Sequence, residues 1–412
     1  MKVLNIGSCN IDYVYSLDHI VAEGETEQSE QMNIFAGGKG LNQSVAVSRA
    51  GAKVYHAGCI GKDGDMLFDV LNGENIDTSL VKKLPEPNGH AIIQVSCKGE
   101  NSIFVYPGTN RMITREYVDV VLAGFGKGDI VILQNEINSI DYIIEKAFKS
   151  GMTVILNPSP INDDVLKLDL NMISYIVLNE IEAKKLFGGT DAEASIFVAS
   201  QKYPKLHIVL TKGVHGSIYH GPDGTIFQNA YKVEAVDTTA AGDTFMGYFV
   251  AGIANRLPLK TVLRQAAAAS AIAVSRHGAS PSVPHVSEVL RKIGTMSEHR
   301  TNAADDALKQ KIDEYILNNI KDVTIEGLAK ELHYSYHSIG RAIKKITGKS
   351  YTEYVVQLRV VFAAKLLKET NMPVSEIIEF VGYENESFFR RKFKEQYGTA
   401  PNKFRNAGRK QE

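Results

Sequence analysis

Residues 237–247 read DTTAAGDTFMG and lead directly into the apolar stretch Tyr248–Ala254. Small residues just before a helix leave backbone N–H groups pointing outward, where the helix dipole adds positive potential. The segment therefore predicts an anion site suited to a phosphoryl group. A carboxylate is a poor phosphate ligand but a good base for a hydroxyl that attacks phosphate, so we interpret Asp243 as that base. Taken alone, the segment is equally typical of a helix with an acidic first turn.

A second glycine-rich turn lies about 200 residues upstream, where residues 35–42 read FAGGKGLN and open the helical pattern Gln43–Ala50. Its glycines permit close backbone approach, and the amide of Asn42 can both donate to and accept from sugar hydroxyls. The chain has no GxxxxGK[ST] motif. A P-loop is therefore excluded, and these two turns are the candidate sites for phosphate and sugar.

The surrounding sequence predicts an α/β fold. Apolar runs without alternation are typical of strands buried on both faces of a parallel sheet, and here turn residues and an amphipathic stretch follow each run. The runs are Val3–Ile6, Ile130–Leu133, Val154–Leu156, Tyr175–Leu178 and His207–Leu210. Two alternating segments, Ala91–Val95 and Ser102–Tyr106, predict a hairpin in a small flap beside the sheet.

The order of the two turns, GGKGxN followed by DTTAAGD, resembles the paired signatures of PfkB carbohydrate kinases, specifically those of the ribokinase type. The resemblance covers Met1–Lys292 and implies a ribokinase-like doubly wound sheet with a small β lid, in a domain at 1–293. It implies an ATP-dependent kinase that uses Mg²⁺ and a monovalent cation (K⁺) and phosphorylates the primary hydroxyl of ribose or a related pentose.

Position by position, the resemblance also implies the site residues. The sugar contacts are Asn10, Asp12, Gly38, Lys39, Asn42, Glu136 and Asp243, and the ATP contacts are Asn179, Thr211, Gly213, Gly216, Ala241 and Gly242. Ala241 and Gly242 supply anion-hole amides beside the base Asp243, and Glu182 holds Mg²⁺ through water. The monovalent cation binds in a loop formed by Asp237, Thr239, Ala273, Arg276, Gly278 and Ser282.

The last hundred residues differ from this body in charge and pattern. From Ala307 onward there are 19 Lys/Arg against 13 Asp/Glu, so this part is near +6 and the preceding part near −7. A basic tail on an acidic body indicates a nucleic-acid partner at the tail. The polar stretch 294–307 lacks apolar periodicity and is interpreted as a linker.

The tail predicts two helix-turn-helix motifs. In the first, residues 324–332 (TIEGLAKEL) begin with an N-cap Thr and precede a polar turn and the helix His337–Thr347. The second follows about 50 residues later, at Val374–Val381 and Phe388–Tyr397, so the two copies can face adjacent turns of the major groove.

Residues 382–405 (GYENESFFRRKFKEQYGTAPNKFR) resemble the AraC-family signature, which implies an all-α domain at 308–412 that binds double-stranded DNA. Ile378 departs from the family, which usually has Ala there. The expected DNA contacts are His337, Arg341, Lys344, Asn385, Ser387, Arg390 and Arg391.

The complete reading is a sugar kinase joined to a sequence-specific transcriptional regulator. Cys9, Cys59 and Cys97 lie far apart and indicate neither zinc nor disulfides. With no signal peptide or membrane-spanning stretch, we expect a cytoplasmic protein without a membrane partner. We also expect a homodimer. The alternative is a sugar-sensing AraC-type transcription factor whose kinase fold binds the effector without phosphorylating it. The intact Asp243, Gly242, Asn179 and Glu182 favour the enzyme.

Overall fold

The computed structural model describes residues 1–98, 100–189, 191–222, 224–298 and 303–409. The chain folds into two compact units. The first consists of Met1–Glu182 and Tyr203–His299, and the second of Ala183–Lys202 and Arg300–Glu412. Within the described ranges, no helix is long and apolar enough to cross a membrane.

The strands of the first unit form two sheets. They are β1 (Val3–Ile6), β2 (Asn10–Leu17), β3 (Gln31–Gly37), β4 (Val54–Ile60), β5 (Asp77–Lys83), β6 (Gly89–Ser96), β7 (Asn101–Tyr106), β8 (Ile130–Gln134), β9 (Thr153–Asn157), β10 (Tyr175–Asn179), β11 (His207–Thr211), β12 (Ser217–Gly221) and β13 (Gly224–Gln228). A nine-stranded sheet has the order β13-β12-β11-β10-β9-β8-β1-β4-β5, and a four-stranded sheet has the order β3-β2-β6-β7.

The large sheet confirms the predicted parallel α/β fold. β1 pairs in parallel with β4 and with β8, and every residue of β1 and β8 is buried. This is why these runs are apolar without alternation. Among the described strands of this large sheet, the pairing is antiparallel only at one edge, from β11 to β13.

The small sheet contains the predicted hairpin, in which β6 and β7 pair antiparallel with Ile93 opposite Ile103. Two further strands complete it, since β2 pairs with both β3 and β6. The sequence pattern did not reveal β2 and β3. Residues of β2 alternate irregularly because its first part carries site residues rather than a regular apolar face.

The helices associated with the first unit are α1 (Lys39–Arg49), α2 (Asp65–Gly73), α3 (Arg115–Leu122), α4 (Ile140–Lys149), α5 (Glu180–Phe187), α7 (Ala241–Ala254), α8 (Leu259–Val274) and α9 (Val286–Lys292). α1 and α7 follow the two glycine-rich turns, and they pack against each other at Gly247. A Cβ atom there would come within 2.2 Å of the Ala46 Cβ. This close contact brings together two turns that are far apart in sequence.

The second unit is helical. It consists of α6 (Ala192–Lys202), α10 (Ala303–Asn318), α11 (Ile325–Glu331), α12 (Tyr336–Thr347), α13 (Tyr351–Glu369), α14 (Val374–Phe380), α15 (Glu386–Tyr397) and α16 (Pro401–Arg409), and α5 ends within it. Its core is built from fully buried side chains such as Ile312, Ile339 and Phe389. Ile378, the departure from the AraC pattern, is buried in this same core.

α6 is the unexpected member of this unit, because its sequence lies inside the predicted domain 1–293. Ala194 packs in the core of the second unit. The buried Lys309 Nζ of α10 lies 3.0 Å from Glu193 Oε2 of α6 and 2.9 Å from Asp313 Oδ2. Asp313 Oδ1 also accepts from the Tyr354 hydroxyl of α13 at 2.5 Å. Three helices are therefore joined by one polar cluster.

The structure describes both ends of the predicted linker 294–307. Lys232 N–H donates to Ser297 O at 2.8 Å, so the beginning of this stretch is attached to the first unit. Residues 299–302 lie outside the described residues, and α10 already begins at Ala303.

Candidate active site and nucleic-acid interface

Asp243 lies in the first turn of α7 and is buried. Two consecutive amide side chains of α1 hold its carboxylate. Asn42 Nδ2 donates to Asp243 Oδ2 at 3.2 Å, and Gln43 Nε2 donates to Asp243 Oδ1 at 3.0 Å. The two glycine-rich turns therefore meet at the carboxylate that the sequence predicted to be the base.

Two further carboxylates lie close to Asp243. Burial, together with the charges of Glu136 and Asp243, raises the pKa of Asp12 to about 7. Glu136 Oε2 accepts from Lys39 N–H at 2.9 Å and from the Ser8 hydroxyl. The predicted sugar residues thus form a polar site with a strong excess of hydrogen-bond acceptors, which suits a ligand rich in hydroxyl donors.

Lys39 supplies the positive charge at this site. The negative charge of Asp243, opposed by partial burial and assisted by Glu136 and Glu182, raises the pKa of Lys39. Its ammonium group therefore stays charged at neutral pH.

Asn10 occupies the start of β2, where its Oδ1 accepts from Asn110 Nδ2 at 2.7 Å. Asn110 Oδ1 in turn accepts from Cys9 N–H at 2.9 Å. Sequence reasoning missed Asn110 and Ser8. Both are single polar residues outside any motif, and their burial follows only from the tertiary fold.

A cavity of about 290 Å³ lies beside the N-terminus of α7. It contains the predicted ATP residues Thr211, Gly213, Gly216, Ala241 and Gly242, and its other lining is mostly apolar, with Phe245 and Val274 among it. A second cavity of about 370 Å³ shares Thr211, Gly213 and Gly242 and adds Lys39, Asn179, Glu182 and Asp243. The two cavities form one cleft that runs from an apolar end to the base.

The backbone at the N-terminus of α7 fits a phosphoryl group in part. Gly242 has no heavy atom within 4 Å of where a Cβ would lie, so the cleft is open above it. The Ala241 N–H, by contrast, donates to Thr238 O at 3.2 Å within the turn. In this structure Gly242 is the residue whose position suits the predicted anion hole.

Asn179 and Glu182 cap α5 together. Asn179 Oδ1 accepts from the N–H groups of Ile181 and Glu182 at 2.9 and 3.0 Å, and Glu182 Oε2 accepts from Asn179 N–H at 2.9 Å. This reciprocal arrangement is a capping box. Both side chains line the second cavity with Lys39.

The residues predicted to bind the monovalent cation lie in two segments, 237–239 and 273–282, which hydrogen bonds connect. Asp237 Oδ2 accepts from Gly278 N–H at 3.0 Å, and Asp237 Oδ1 accepts from Thr239 N–H at 2.9 Å. The carbonyls of Ala273 and Ala279 accept from Arg276 N–H at 3.0 Å and from the Ser282 hydroxyl at 2.7 Å. The Arg276 guanidinium pairs with Glu288.

The second unit contains the two predicted helix-turn-helix motifs, α11–α12 and α14–α15. Their second helices match at an offset of 50 residues. The buried Ile339 and Ile343 correspond to the buried Phe389 and Phe393, and both helices end at a glycine in the left-handed conformation. Each first helix ends before a turn residue of positive φ, His333 at 56° and Gly382 at 81°.

Most predicted DNA contacts lie on one exposed face of these helices. His337, Arg341 and Lys344 form this face on α12, and the equivalent residues on α15 are Ser387, Arg391 and Lys394, all exposed. Lys394 was absent from the predicted set. Two predicted residues have local roles: Asn385 Oδ1 caps α15 by accepting from Phe388 N–H at 2.9 Å, and Arg390 pairs with Glu386.

Comparisons with known proteins agree with this fold and with the two predicted domains. The profile of the pfkB family of carbohydrate kinases matches residues 1–286, and that of a helix-turn-helix domain matches residues 328–407. The ribokinase of Haemophilus influenzae is 34% identical, in an alignment covering 69% of this chain and 96% of that protein.

Solved structures of ribokinases superpose on the same part of the chain. Ribokinase from Cryptococcus neoformans in complex with ADP gives a TM-score of 0.65 at 32% identity, covering 71% of this chain and 99% of that one. Arabidopsis thaliana ribokinase complexed with ribose and ATP gives 0.62 at 28% identity, covering 71% and 98%. The fold is thus ribokinase-like, and membership of this group implies the use of ATP. The chain belongs to the pfkB family of carbohydrate kinases and carries an AraC-type helix-turn-helix domain C-terminal to its kinase fold.

Proposed function

We propose that this carbohydrate kinase transfers the γ-phosphoryl group of ATP to the primary hydroxyl of ribose or a related pentose, and that its C-terminal domain binds DNA as a transcriptional regulator. The observation that carries the kinase proposal is the placement of Asp243, which is buried, held by two amides and adjacent to Lys39 at one end of the cleft.

In the proposed mechanism Asp243 accepts the proton of the sugar hydroxyl as that oxygen attacks the γ-phosphorus and ADP leaves. Lys39 and the backbone of α7 at Gly242 stabilise the negative charge that develops on the transferred group. Asp12, Asn42 and Glu136 hold the sugar hydroxyls, so that the attacking oxygen is fixed in position. The apolar end of the first cavity accommodates the base of the nucleotide.

We also propose Mg²⁺ and a monovalent cation as cofactors. The oxygen donors of Glu182 and Asp243 in one cavity with Lys39 fit the preference of Mg²⁺ for oxygen ligands, and Mg²⁺ would neutralise charge on the nucleotide phosphates. The corner formed by Asp237, Ala273 and Gly278 would hold the monovalent cation through its backbone carbonyls.

The substrate is tested by measuring ADP formation with ribose, deoxyribose, fructose and nucleosides. We expect ribose to give the highest kcat/KM. A protein that binds one of these sugars by calorimetry but forms no ADP with any of them would establish the sensor function instead.

Sugar affinity should depend on pH through Asp12. Burial raises the pKa of its carboxyl group to about 7, and only the ionised form accepts hydrogen bonds at both oxygens. Between pH 6 and 8 the ionised fraction rises, so the Kd for ribose should fall by up to ~10-fold. Asp12→Asn should bind ribose more weakly and show no such change. Calorimetry at pH 6, 7 and 8 measures both, and a flat wild-type profile would contradict the role of Asp12.

The DNA-binding proposal is supported by the exposed basic face shared by α12 and α15. Arg341, Lys344, Arg391 and Lys394 lie at equivalent positions on that face, and an arginine on a recognition helix can pair with base edges or phosphates. Binding should weaken steeply with salt, since it releases counterions from DNA.

Arg391→Ala should weaken binding to a duplex obtained by in vitro selection by roughly 5–30-fold, with kinase turnover unchanged. Arg390→Ala is the matched neighbour. Arg390 lies off the exposed face and pairs more closely with Glu386, at 2.5 Å, than Arg391 does with Glu395, at 3.9 Å, so its loss should cost less than about 3-fold. Lys149→Ala, an exposed cation in the first unit, controls for net charge. Equal effects of Arg390→Ala and Arg391→Ala in gel-shift titrations would show that the face is wrongly placed.

We further propose that the chain is a homodimer. Ile34 and Met32 of β3 and Ile103 and Phe104 of β7 are all about half exposed, on the edge strands of the small sheet. Apolar exposure of this kind is typical of an interaction surface. Light scattering would show a monomer if the proposal is wrong.

A further inference from the structure

Behind Asp243 lies a row of amide side chains that the reaction as described does not use. Gln43 Nε2 donates to Asp243 Oδ1 at 3.0 Å, and Gln43 Oε1 accepts from Gln134 Nε2 at 2.8 Å. Gln134 Nε2 also donates to Asn5 Oδ1 at 2.9 Å, and Asn5 Nδ2 donates to Gly40 O at 2.8 Å. We call Gln43, Gln134 and Asn5 the amide relay.

The NH₂ and oxygen ends of the three amides in the relay can be assigned in only one way. A backbone carbonyl only accepts, so the end of Asn5 that faces Gly40 O must be its NH₂ group. The Asn5 oxygen then faces Gln134, which must present its own NH₂ group. That group faces the Gln43 oxygen, so the NH₂ of Gln43 faces Asp243. A fixed carbonyl in the glycine-rich turn therefore determines which atoms meet the proposed base.

The amide relay is an energetically unfavourable way to fill the core. All three side chains are fully buried, and Gln134 Oε1 has no hydrogen-bond partner among the described residues. A buried polar atom without a partner destabilises a core that apolar side chains of similar volume could fill. Core packing alone does not explain why amides occupy these positions.

Gln43 differs from Asn42 in how the two ends of its amide are hydrogen-bonded. Asn42 is a proposed sugar ligand, so its amide has a second task when sugar binds. Asn42 Oδ1 has no hydrogen-bond partner among the described residues and is available to a ligand, whereas both ends of the fully buried Gln43 amide are engaged, by Asp243 and by Gln134. Its contact with Asp243 can therefore persist throughout the reaction, while the other carboxylate oxygen, Oδ2, faces Asn42 and the sugar site.

We propose that Gln43 is the positioning residue for Asp243 and that Gln134 and Asn5 set its orientation. This inference rests on the proposed role of Asp243 as the base. Gln43 fixes the rotation of the carboxylate, so that Oδ2 stands ready to receive the proton of the sugar hydroxyl. Without this contact the carboxylate rotates among several orientations, and most of them are unproductive.

Gln43→Met keeps the length of the side chain and removes both polar ends. It should lower kcat for ribose phosphorylation by roughly 10–50-fold and change KM for ribose and ATP by less than about 3-fold. Gln134→Met leaves Gln43 in place but frees its amide to turn, so kcat should fall by roughly 3–10-fold. The double variant should be no slower than Gln43→Met, because the relay acts only through Gln43.

Tyr248→Phe is the matched control. It lies on α7 with Asp243 and removes a buried hydrogen bond to Pro284 O of 2.8 Å, remote from the relay. Its kcat should stay within about 2-fold of wild type even if it is less stable. Circular dichroism and urea unfolding check the fold of each variant. If Gln43→Met does not fold, Gln134→Met alone decides.

The outcomes separate this inference from the function on which it rests. Retained activity in Asp243→Asn would refute the base itself. An inactive Asp243→Asn combined with wild-type kcat in Gln43→Met, or in Gln134→Met if that variant alone is available, would overturn the positioning role only. Multiplicative losses in the double variant, or a rise in KM at constant kcat, would overturn it as well.

Discussion

Asp243→Asn should reduce kcat for sugar phosphorylation by about 10²–10⁴-fold, the usual contribution of a positioned general base. The substitution keeps the shape of the side chain, and an amide can still take part in hydrogen bonds with Asn42 and Gln43. It cannot accept the proton of the attacking hydroxyl at neutral pH. Sugar affinity should therefore change by only a few-fold, and calorimetry beside steady-state kinetics measures the two effects separately.

Asp141→Asn is the control for a purely structural effect. Asp141 is likewise an acidic residue in the first turn of a helix, α4, but it is exposed and lines neither cavity of the cleft. Helix-dipole stabilisation is similar at the two positions, so Asp141→Asn should leave kcat unchanged. Near-wild-type turnover in Asp243→Asn would show that Asp243 is not the base. Lys39 and the N-terminus of α7 would then have to account for the rate.

The sequence was most informative where chemistry and local structure depend on adjacent residues. The two glycine-rich turns, the buried parallel strands and the repeated helix-turn-helix were all predictable, because each is a contiguous pattern. The meeting of Asn42 with Asp243 was predictable only through family resemblance, since no periodicity relates positions 201 residues apart.

The parts that could not be predicted depend on tertiary contacts between isolated polar residues. Asn5 lies within, and Gln134 directly after, a run that reads as an ordinary buried strand, and nothing local shows that their amides face each other. Asn110 is one polar residue in a short turn after β7. The position of α6 was missed for a similar reason. Its apolar residues fit any helix, and only the contacts of Ala194 and Glu193 show that it packs with the C-terminal helices.

The placement of α6 gives a physical basis for communication between the two functions. α5 begins at the cleft, where Glu180 and Glu182 line the second cavity, and ends at Phe187. Its last residues and the separate helix α6 both lie in the segment Ala183–Lys202 of the second unit. A ligand that changes the position or mobility of the α5 N-terminus acts on a helix whose C-terminal part, from Ala183 to Phe187, belongs to the second unit. Coupling requires only that the ligand bind two states of this segment with different affinities.

We therefore expect saturating ribose with a non-hydrolysable ATP analogue and Mg²⁺ to change the affinity of the full-length protein for its selected DNA by about 5–150-fold. By thermodynamic reciprocity, DNA should change the affinity for the ligands by the same factor. Titrations at fixed salt, with ribose alone, nucleotide alone and both, identify which ligand carries the effect. Because α5 begins beside the predicted phosphate residues, nucleotide should contribute the larger part.

Glu193→Gln tests whether the coupling between ligand and DNA binding passes through α6. It weakens the ion pair between α6 and Lys309, while the bond between Lys309 and Asp313 can remain. The coupling factor should move toward one, with DNA affinity in the absence of ligands and KM for ATP both close to wild type. Lys149→Ala again serves as the surface control. If wild-type protein binds DNA identically with and without ligands, the kinase fold and the regulator are tethered without coupling. In that case α6 stabilises the second unit and transmits nothing.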